Sequence, residues 1–219
     1  MRSAAGLWWR LVRFGFRLLY NELAFTYDWV SSVVSLGDWR CWVRASLRHL
    51  DVSHTSIVLE LAHGTGNLQL DLAQAGYTAI GYDLSPYMGR IASRKLLRSG
   101  LTPKLVRGRA QALPFRDEAF GAVISTFPTD FIIAPETLRE VYRVLQPGGT
   151  FIIVPNGLLT GSGVLAAFIE WLYRITGQRE SGEPGNLAPF FAAYGFEASM
   201  FWEACRNSKA QVIVARKKV

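Results

Sequence analysis

Ile57-Val58-Leu59-Glu60-Leu61-Ala62-His63-Gly64-Thr65-Gly66-Asn67 is the stretch that decides the fold. A short apolar run ends at two glycines and gives way to a helical pattern. That is the order of a buried parallel strand turning into a helix. Glycine lets the backbone approach a ligand closely, and the first turn of a helix carries free N–H groups. A dinucleotide fingerprint needs a third glycine three residues after the second, and Gln69 stands there. The turn therefore argues against NAD and FAD.

The same alternation continues downstream. A helix is expected over Leu68–Ala75, closed by Gly76, and a second strand over Tyr77–Tyr82. Ser85-Pro86 opens a helix running to about Ser99, with proline in the first turn and Gly100 past the end. Further strands are expected at Lys104–Arg107, Phe120–Ser125 and Thr150–Val154, with a helix over Pro135–Leu145 that stops at Pro147-Gly148-Gly149. Val164–Ile175 and Leu187–Tyr194 read as helices. Phe196–Glu203 and Gln211–Ala215 read as a closing hairpin. Strands alternating with helices give an α/β fold, a doubly wound, mostly parallel Rossmann-like sheet. Seven strands are expected, the last antiparallel, with a helical N-terminal segment in front.

Asp83 ends the second strand, 17 positions beyond Gly66. A carboxylate there is placed to accept hydrogen bonds from both hydroxyls of a ribose. It also suits the positive end of the following helix.

Half of the 219 residues are hydrophobic and 19% are charged, which excludes a disordered chain and supplies a full core. The formal charge is +7, yet the excess is terminal. Arg2, Arg10, Arg13 and Arg17 lie in the first 20 residues with no acid among them, and Arg216, Lys217 and Lys218 lie at the other end. The rest holds 17 basic and 17 acidic residues. A neutral body does not steer a polyanion into a cleft, so nucleic acid is not expected as a partner. Cys41 and Cys205 show neither CxxC nor zinc spacing and point to a reducing compartment. No metal site is expected.

Residues 7–20, LWWRLVRFGFRLLY, form an amphipathic pattern. On a helical wheel its Arg10, Arg13 and Arg17, together with Arg2 upstream, fall within an arc of roughly 80°. Arginine recurs too often for a membrane-spanning helix, and no uninterrupted apolar stretch marks a secretory signal. Three readings stay open: a helix lying on an anionic membrane surface, one packed on the domain with its arginines in water, or an interface for a partner. The expected location is cytoplasmic, with peripheral membrane attachment under the first reading.

Read together, Glu60–Asn67, Gly81–Met88 (GYDLSPYM), Gly108–Phe115 (GRAQALPF) and Leu138–Pro155 (LREVYRVLQPGGTFIIVP) resemble the class I S-adenosylmethionine-dependent methyltransferases. They are similar to the type 11 branch, which includes the ubiquinone and menaquinone C-methyltransferases. Ala24-Phe25-Thr26-Tyr27-Asp28 and Ser35–Arg40 are similar to that branch's N-terminal segment. The resemblance implies S-adenosylmethionine as cofactor. Glu60 begins its motif, and Ala62, His63, Gly64 and Gly66 line the methionine moiety. Asp83 holds the ribose, and Leu84 and Met88 flank the adenine. Arg109, Ala110 and Gln111 occupy the adenine edge. Thr126 and Phe127 face the methyl group, and Tyr27 closes over the cofactor. Residues 1–50 would form amphipathic and lid helices and residues 51–219 the methyltransferase domain, with 157–194 an insert over the acceptor.

The chain departs from the branch at His63, where a small residue or cysteine is usual, at Arg109, where many relatives carry an acid, and at Gly121, often aspartate. These departures motivate an alternative, a cofactor-binding or interaction module that has lost catalysis. Methyl transfer is an in-line displacement that requires alignment and exclusion of water. If the acceptor is a phenol or ring carbon, a base is needed, and Asp130 and His63 are the candidates. The aromatic N-terminal segment and insert, with Phe168, Trp171, Leu172 and Tyr173, suit a small apolar acceptor such as a quinone precursor, lipid or pigment.

Overall fold

The structure is a computed structural model that describes residues 10, 14–15, 18, 23–160, 163–175 and 187–218. Of the expected amphipathic segment only Arg10, Phe14, Gly15 and Leu18 are described, all helical. The remainder of that expectation, and residues 176–186 of the insert, lie outside the described residues.

After a single turn at Ala24–Thr26 come helices α1 (Tyr27–Val34) and α2 (Trp39–Ala45) and a turn at Ser46–His49. The alternating part follows: β1 (Ile57–Leu61), α3 (Asn67–Gln74), β2 (Thr78–Asp83), α4 (Pro86–Arg98), β3 (Leu105–Arg107) and β4 (Phe120–Thr126). A turn at Asp130–Ile133 leads to α5 (Pro135–Val144), β5 (Leu145–Val154) and β6 (Gly157–Leu159). The chain closes with α6 (Val164–Ile175), α7 (Leu187–Ala192), β7 (Phe196–Ala204) and β8 (Ser208–Lys217).

The sheet runs β3-β2-β1-β4-β5-β8, with the first five strands parallel and β8 antiparallel to β5. β7 pairs with β8 along nearly its whole length, while β5 and β6 share the other edge of β8. Among the described residues the sheet therefore has eight strands where seven are expected. The additional one is β6, three residues whose glycine-rich sequence carries no strand pattern. Gly157 is needed there because a Cβ would fall 2.2 Å from the Trp42 ring. β5 also starts earlier than its apolar run. It begins at Leu145 and crosses Pro147-Gly148-Gly149, with a register shift opposite Phe120–Ala122. Proline and glycine sit at an irregularity rather than ending the strand.

Side chains alternate across the sheet. Leu59, Leu61, Val123 and Phe151 meet Leu138 and Val141 of α5 on one face. Val58, Ala122, Ile152 and Val154 meet Trp42, Leu68 and Leu72 on the other. α4 starts as its sequence dictates, with the Ser85 side chain accepting the Met88 N–H and proline in the first turn.

The N-terminal helices are fastened to the far end of the chain. Trp42 is buried and donates its ring N–H to Ser208, which also hydrogen-bonds Asp38. Arg48 and His49 both reach Glu203. Cys41 and Cys205 are joined by a disulfide across 164 residues. The two cysteines are thus a pair, not free thiols, and the reducing compartment inferred from their spacing loses its support. Separation along the chain concealed their proximity, because α2 packs on β8. Cutting this link by Cys41→Ser lowers stability by roughly 2–4 kcal/mol, read as an earlier urea midpoint in oxidised protein.

Candidate functional site

The turn between β1 and α3 bends through left-handed backbone at Ala62 (φ 56°), Gly64 (φ 51°) and Gly66 (φ 81°). Ala62 is held there by its N–H, which donates to the Tyr82 carbonyl at 2.8 Å. The two glycines serve different ends. A Cβ on Gly66 would lie 2.9 Å from Cβ of Ala92, so Gly66 lets α4 approach the start of α3. A Cβ on Gly64 would meet nothing within 4 Å, so this backbone borders open space at the carboxyl edge of the sheet.

Asp83 stands beside that turn. One carboxylate oxygen accepts the Gly64 N–H at 3.0 Å and the other accepts the Ser85 N–H at 2.7 Å. A carboxylate has about four acceptor sites. Among the described residues two remain, enough for a pair of ribose hydroxyls. Tyr82 fixes the neighbouring loop, its hydroxyl donating to the carbonyls of Arg109 and Ala112. Gly108 makes room, since a Cβ there would fall 1.9 Å from that hydroxyl oxygen. The Gly108 N–H donates to the Asp83 carbonyl at 3.1 Å, which brings Arg109, Ala110 and Gln111 alongside. Ala110 is buried, Gln111 half-buried and Arg109 exposed. Leu84 is 56% exposed and Met88 only 2%, so of these two only Leu84 offers a ligand appreciable surface. Open space at Gly64 and free acceptor capacity on Asp83 fit an adenosyl group.

Tyr27 and Asp28 come to the site on α1. Asp28 accepts hydrogen bonds from the Thr65 hydroxyl at 2.6 Å and the Asn67 amide at 2.9 Å, and pairs with Lys95 at 2.7 Å. Lys95 also donates to the Asn67 side-chain oxygen at 2.8 Å. Burial alone would raise the Asp28 pKa, but Lys95, Thr65 and Asn67 together hold it below the usual carboxylate value. This network latches α1 onto the glycine turn. The motif that contains Asp28 is visible in the sequence, whereas nothing in the helical pattern of 86–98 marks Lys95. Asp28→Ala is expected to release the latch and to weaken S-adenosylmethionine binding roughly three- to tenfold, which calorimetry would measure.

At the end of β4 Thr126 is half-buried, and Phe127 adopts left-handed backbone (φ 51°). The Phe127 N–H donates to the Val154 carbonyl at 2.7 Å, and its ring stacks on Trp39 with centroids 4.0 Å apart. Tyr27 meets Trp39 edge-on at 6.0 Å. A non-glycine residue held at positive φ beside a site stores strain that its surroundings must offset, and Trp39 and Val154 supply that support. Asp130 is exposed in the following turn. The His63 ring is buried under α4, lies against Gly81 and contacts the Gly64 carbonyl through Nδ1. Burial lowers its pKa despite the nearby Asp83.

Glu60 is buried, and among the described residues its carboxylate accepts one hydrogen bond, from the Gln69 side-chain amide at 2.6 Å. Burial pushes its pKa up to about 8, and the charges of Asp83 and Asp71 push the same way against Gln69. The folded protein therefore keeps a proton that the unfolded chain releases between pH 4.5 and about 8. Stability falls as pH rises through that window, with a slope of at most about 1.4 kcal/mol per pH unit from this group. Glu60→Gln keeps an acceptor for Gln69 and removes this slope, read as the difference between urea midpoints at pH 5.5 and 7.5, values chosen roughly to bracket neutrality.

A cleft of about 360 Å³ lies beneath α4 against β3, lined by His63, Asp83, Ser85, Arg90, Leu105 and Arg107 among others. It shares Asp83 with the glycine turn, but Ala62, Gly64, Thr126 and Phe127 do not line it. Among the described residues no group of His, Cys, Asp or Glu is arranged to hold a metal ion, and no helix is long and apolar enough to cross a membrane.

Comparison with known proteins agrees with this layout. Residues 59–153 match a family model described as a methyltransferase domain. A demethylmenaquinone methyltransferase of Thermus thermophilus is 35% identical over 139 residues, covering 62% of this chain and 63% of that protein. Its namesake in Streptomyces avermitilis is 31% identical over 157 residues, covering 71% and 66%. This chain thus spans less than two thirds of the length of these curated relatives. Among solved structures, the YcgJ protein of Bacillus subtilis has a TM-score of 0.61 at 19% identity, covering 81% of this chain and 98% of that one. A SAM-dependent methyltransferase of Methanosarcina mazei has a TM-score of 0.56 at 20% identity, covering 79% and 97%. These two likenesses establish the Rossmann-like fold.

Proposed function

We propose, from the match of residues 59–153 to a methyltransferase domain, that the protein is a class I S-adenosylmethionine-dependent methyltransferase that transfers a methyl group to a small apolar acceptor at a membrane surface. The observation that carries this reading is Asp83, with two acceptor sites unused, beside the open backbone of Gly64. S-adenosylmethionine, when bound, supplies an electrophilic methyl group on a sulfonium. Asp83 would accept hydrogen bonds from the ribose. Leu84 and the Arg109–Gln111 segment would border the adenine. The turn from Ala62 to Gly66, begun by Glu60, would face the methionine part.

Tyr27, Trp39 and Phe127 form an aromatic flank beside the end of β4. Such a flank excludes water from a displacement that water would otherwise intercept. Thr126 stands next to it. For an acceptor that must lose a proton, Asp130 is the better placed base. It is exposed beyond the end of β4, whereas His63 is buried under α4. The aromatic flank, the apolar insert after β5 and the names of the curated relatives support a quinone-like ring as acceptor. The basic segment 1–20 supports contact with anionic lipid. The alternative, a module without catalysis, is not favoured, because the departures at Arg109 and Gly121 leave the turn and Asp83 open. Gly121 has a packing reason of its own: a Cβ there would fall 2.7 Å from Ser56.

The test is incubation with methyl-labelled S-adenosylmethionine and, in parallel, a demethylated naphthoquinol, a lipid extract and a polar extract. Label in the naphthoquinol or lipid fraction is expected. Label confined to the polar fraction contradicts the acceptor class, and label in none contradicts the activity.

A further inference from the structure

Helix α1 is apolar on both sides. Toward the body, Tyr27 meets Trp39, Val34 packs on the core, Ser31 is buried and Asp28 is latched to Thr65 and Asn67. Outward, Trp29 and Val33 point to solvent beside Ser32, joined by Phe25 in the turn before the helix and Leu36 just after it, with Phe25 74% and Trp29 70% exposed. A surface helix ordinarily turns mainly polar residues that way.

A second helix does the same nearby. On α6 Val164, Phe168 and Trp171 face outward, and the rings of Phe168 and Trp171 stack at 5.8 Å. Ile169 faces inward and is buried. The Tyr173 hydroxyl donates to the Val34 carbonyl at 3.2 Å, which sets α6 against the end of α1.

The free charge bordering these residues is mainly positive. The acids of both helices are engaged, Asp28 with Lys95 in the latch and Glu170 with the Leu159 N–H. Arg94 and Arg98 are exposed on α4, which packs against the turn at Ala24–Thr26. Arg10 is exposed upstream, within residues 1–20, which hold four arginines and no acid, and Glu22 alone carries negative charge between them and Phe25. Exposed aromatics bordered by cations match an anionic lipid–water boundary. They do not match a twofold contact between copies of this chain, which would set the same cations against one another.

We infer that α1 and α6 form a lipid-docking face that seats the protein on an anionic bilayer, in addition to residues 1–20. The inference deepens the membrane part of the proposed function and rests on it. It places the glycine turn directly behind the docked helix, through Asp28.

The test uses the full chain with vesicles of phosphatidylglycerol and phosphatidylcholine. Phe25→Ser, Trp29→Ser, Phe168→Ser and Trp171→Ser in one protein should weaken partition at least about tenfold. Its affinity for S-adenosylmethionine should not change, because none of the four belongs to the cofactor site. A second, conservative protein, Trp29→Phe with Trp171→Phe, should show less quenching of tryptophan fluorescence by brominated lipid than the wild type. Partition equal to that of the wild type, or undiminished quenching, overturns the inference. So does a wild-type dimer that the serine substitutions split while lipid binding persists. Loss of partition by the serine protein, with no S-adenosylmethionine bound by the wild type either, would leave the docking face standing and remove the methyltransferase reading instead.

Discussion

Replacing Asp83 with asparagine is expected to weaken S-adenosylmethionine binding about a hundredfold, because hydrogen bonds to a charged acceptor contribute roughly 1.5–3 kcal/mol each. Asparagine keeps the shape but loses the charge and turns one acceptor into a donor. That donor would face either the Gly64 N–H or the Ser85 N–H, both of which Asp83 now accepts. Asp83→Ala removes the acceptors altogether and loosens the turn as well. The measurement is calorimetric titration of folded protein, with the urea midpoint of each variant recorded to separate affinity from stability. Unchanged affinity in the asparagine variant would remove the ribose from Asp83.

Trp42→Ala is expected to cost about 3–5 kcal/mol of stability, the range for deleting a large buried aromatic. Trp42 is 1% exposed, hydrogen-bonds Ser208, and fills the space that Gly157 leaves empty. It also touches Trp39 and Phe127. The damage therefore reaches the aromatic flank beside β4. Trp42→Phe, which retains much of the packing and loses the N–H, should cost less than half as much. Urea unfolding measures both. Equal midpoints for wild type and alanine variant would mean that α2 does not anchor the N-terminal helices.

The alternation of strands and helices from Ile57 to Val154 was legible because each element carries its own punctuation. Gly76, Ser85-Pro86 and Gly100 mark ends that the structure reproduces within a residue or two. The glycine turn was legible for the same reason, and so was Asp83, since a strand tip in a doubly wound sheet is a fixed place. What escaped reading depends on contacts between distant segments. Cys41 meets Cys205 only because α2 crosses β8, and β6 exists only because Gly157 passes over Trp42. Lys95 looks like an ordinary exposed helical cation until α1 brings Asp28 to it. The outward aromatics of α1 were visible as residues, but their direction was not, because eight residues with one acid do not reveal which side is covered.

The most direct measurement is a crystal structure of the full chain with S-adenosylhomocysteine. The ribose hydroxyls are expected within hydrogen-bonding distance of the Asp83 carboxylate, with the homocysteine along Ala62–Gly66 and the sulfur toward Thr126. A ligand lodged instead in the cleft beneath α4, with the glycine turn empty, would contradict the account.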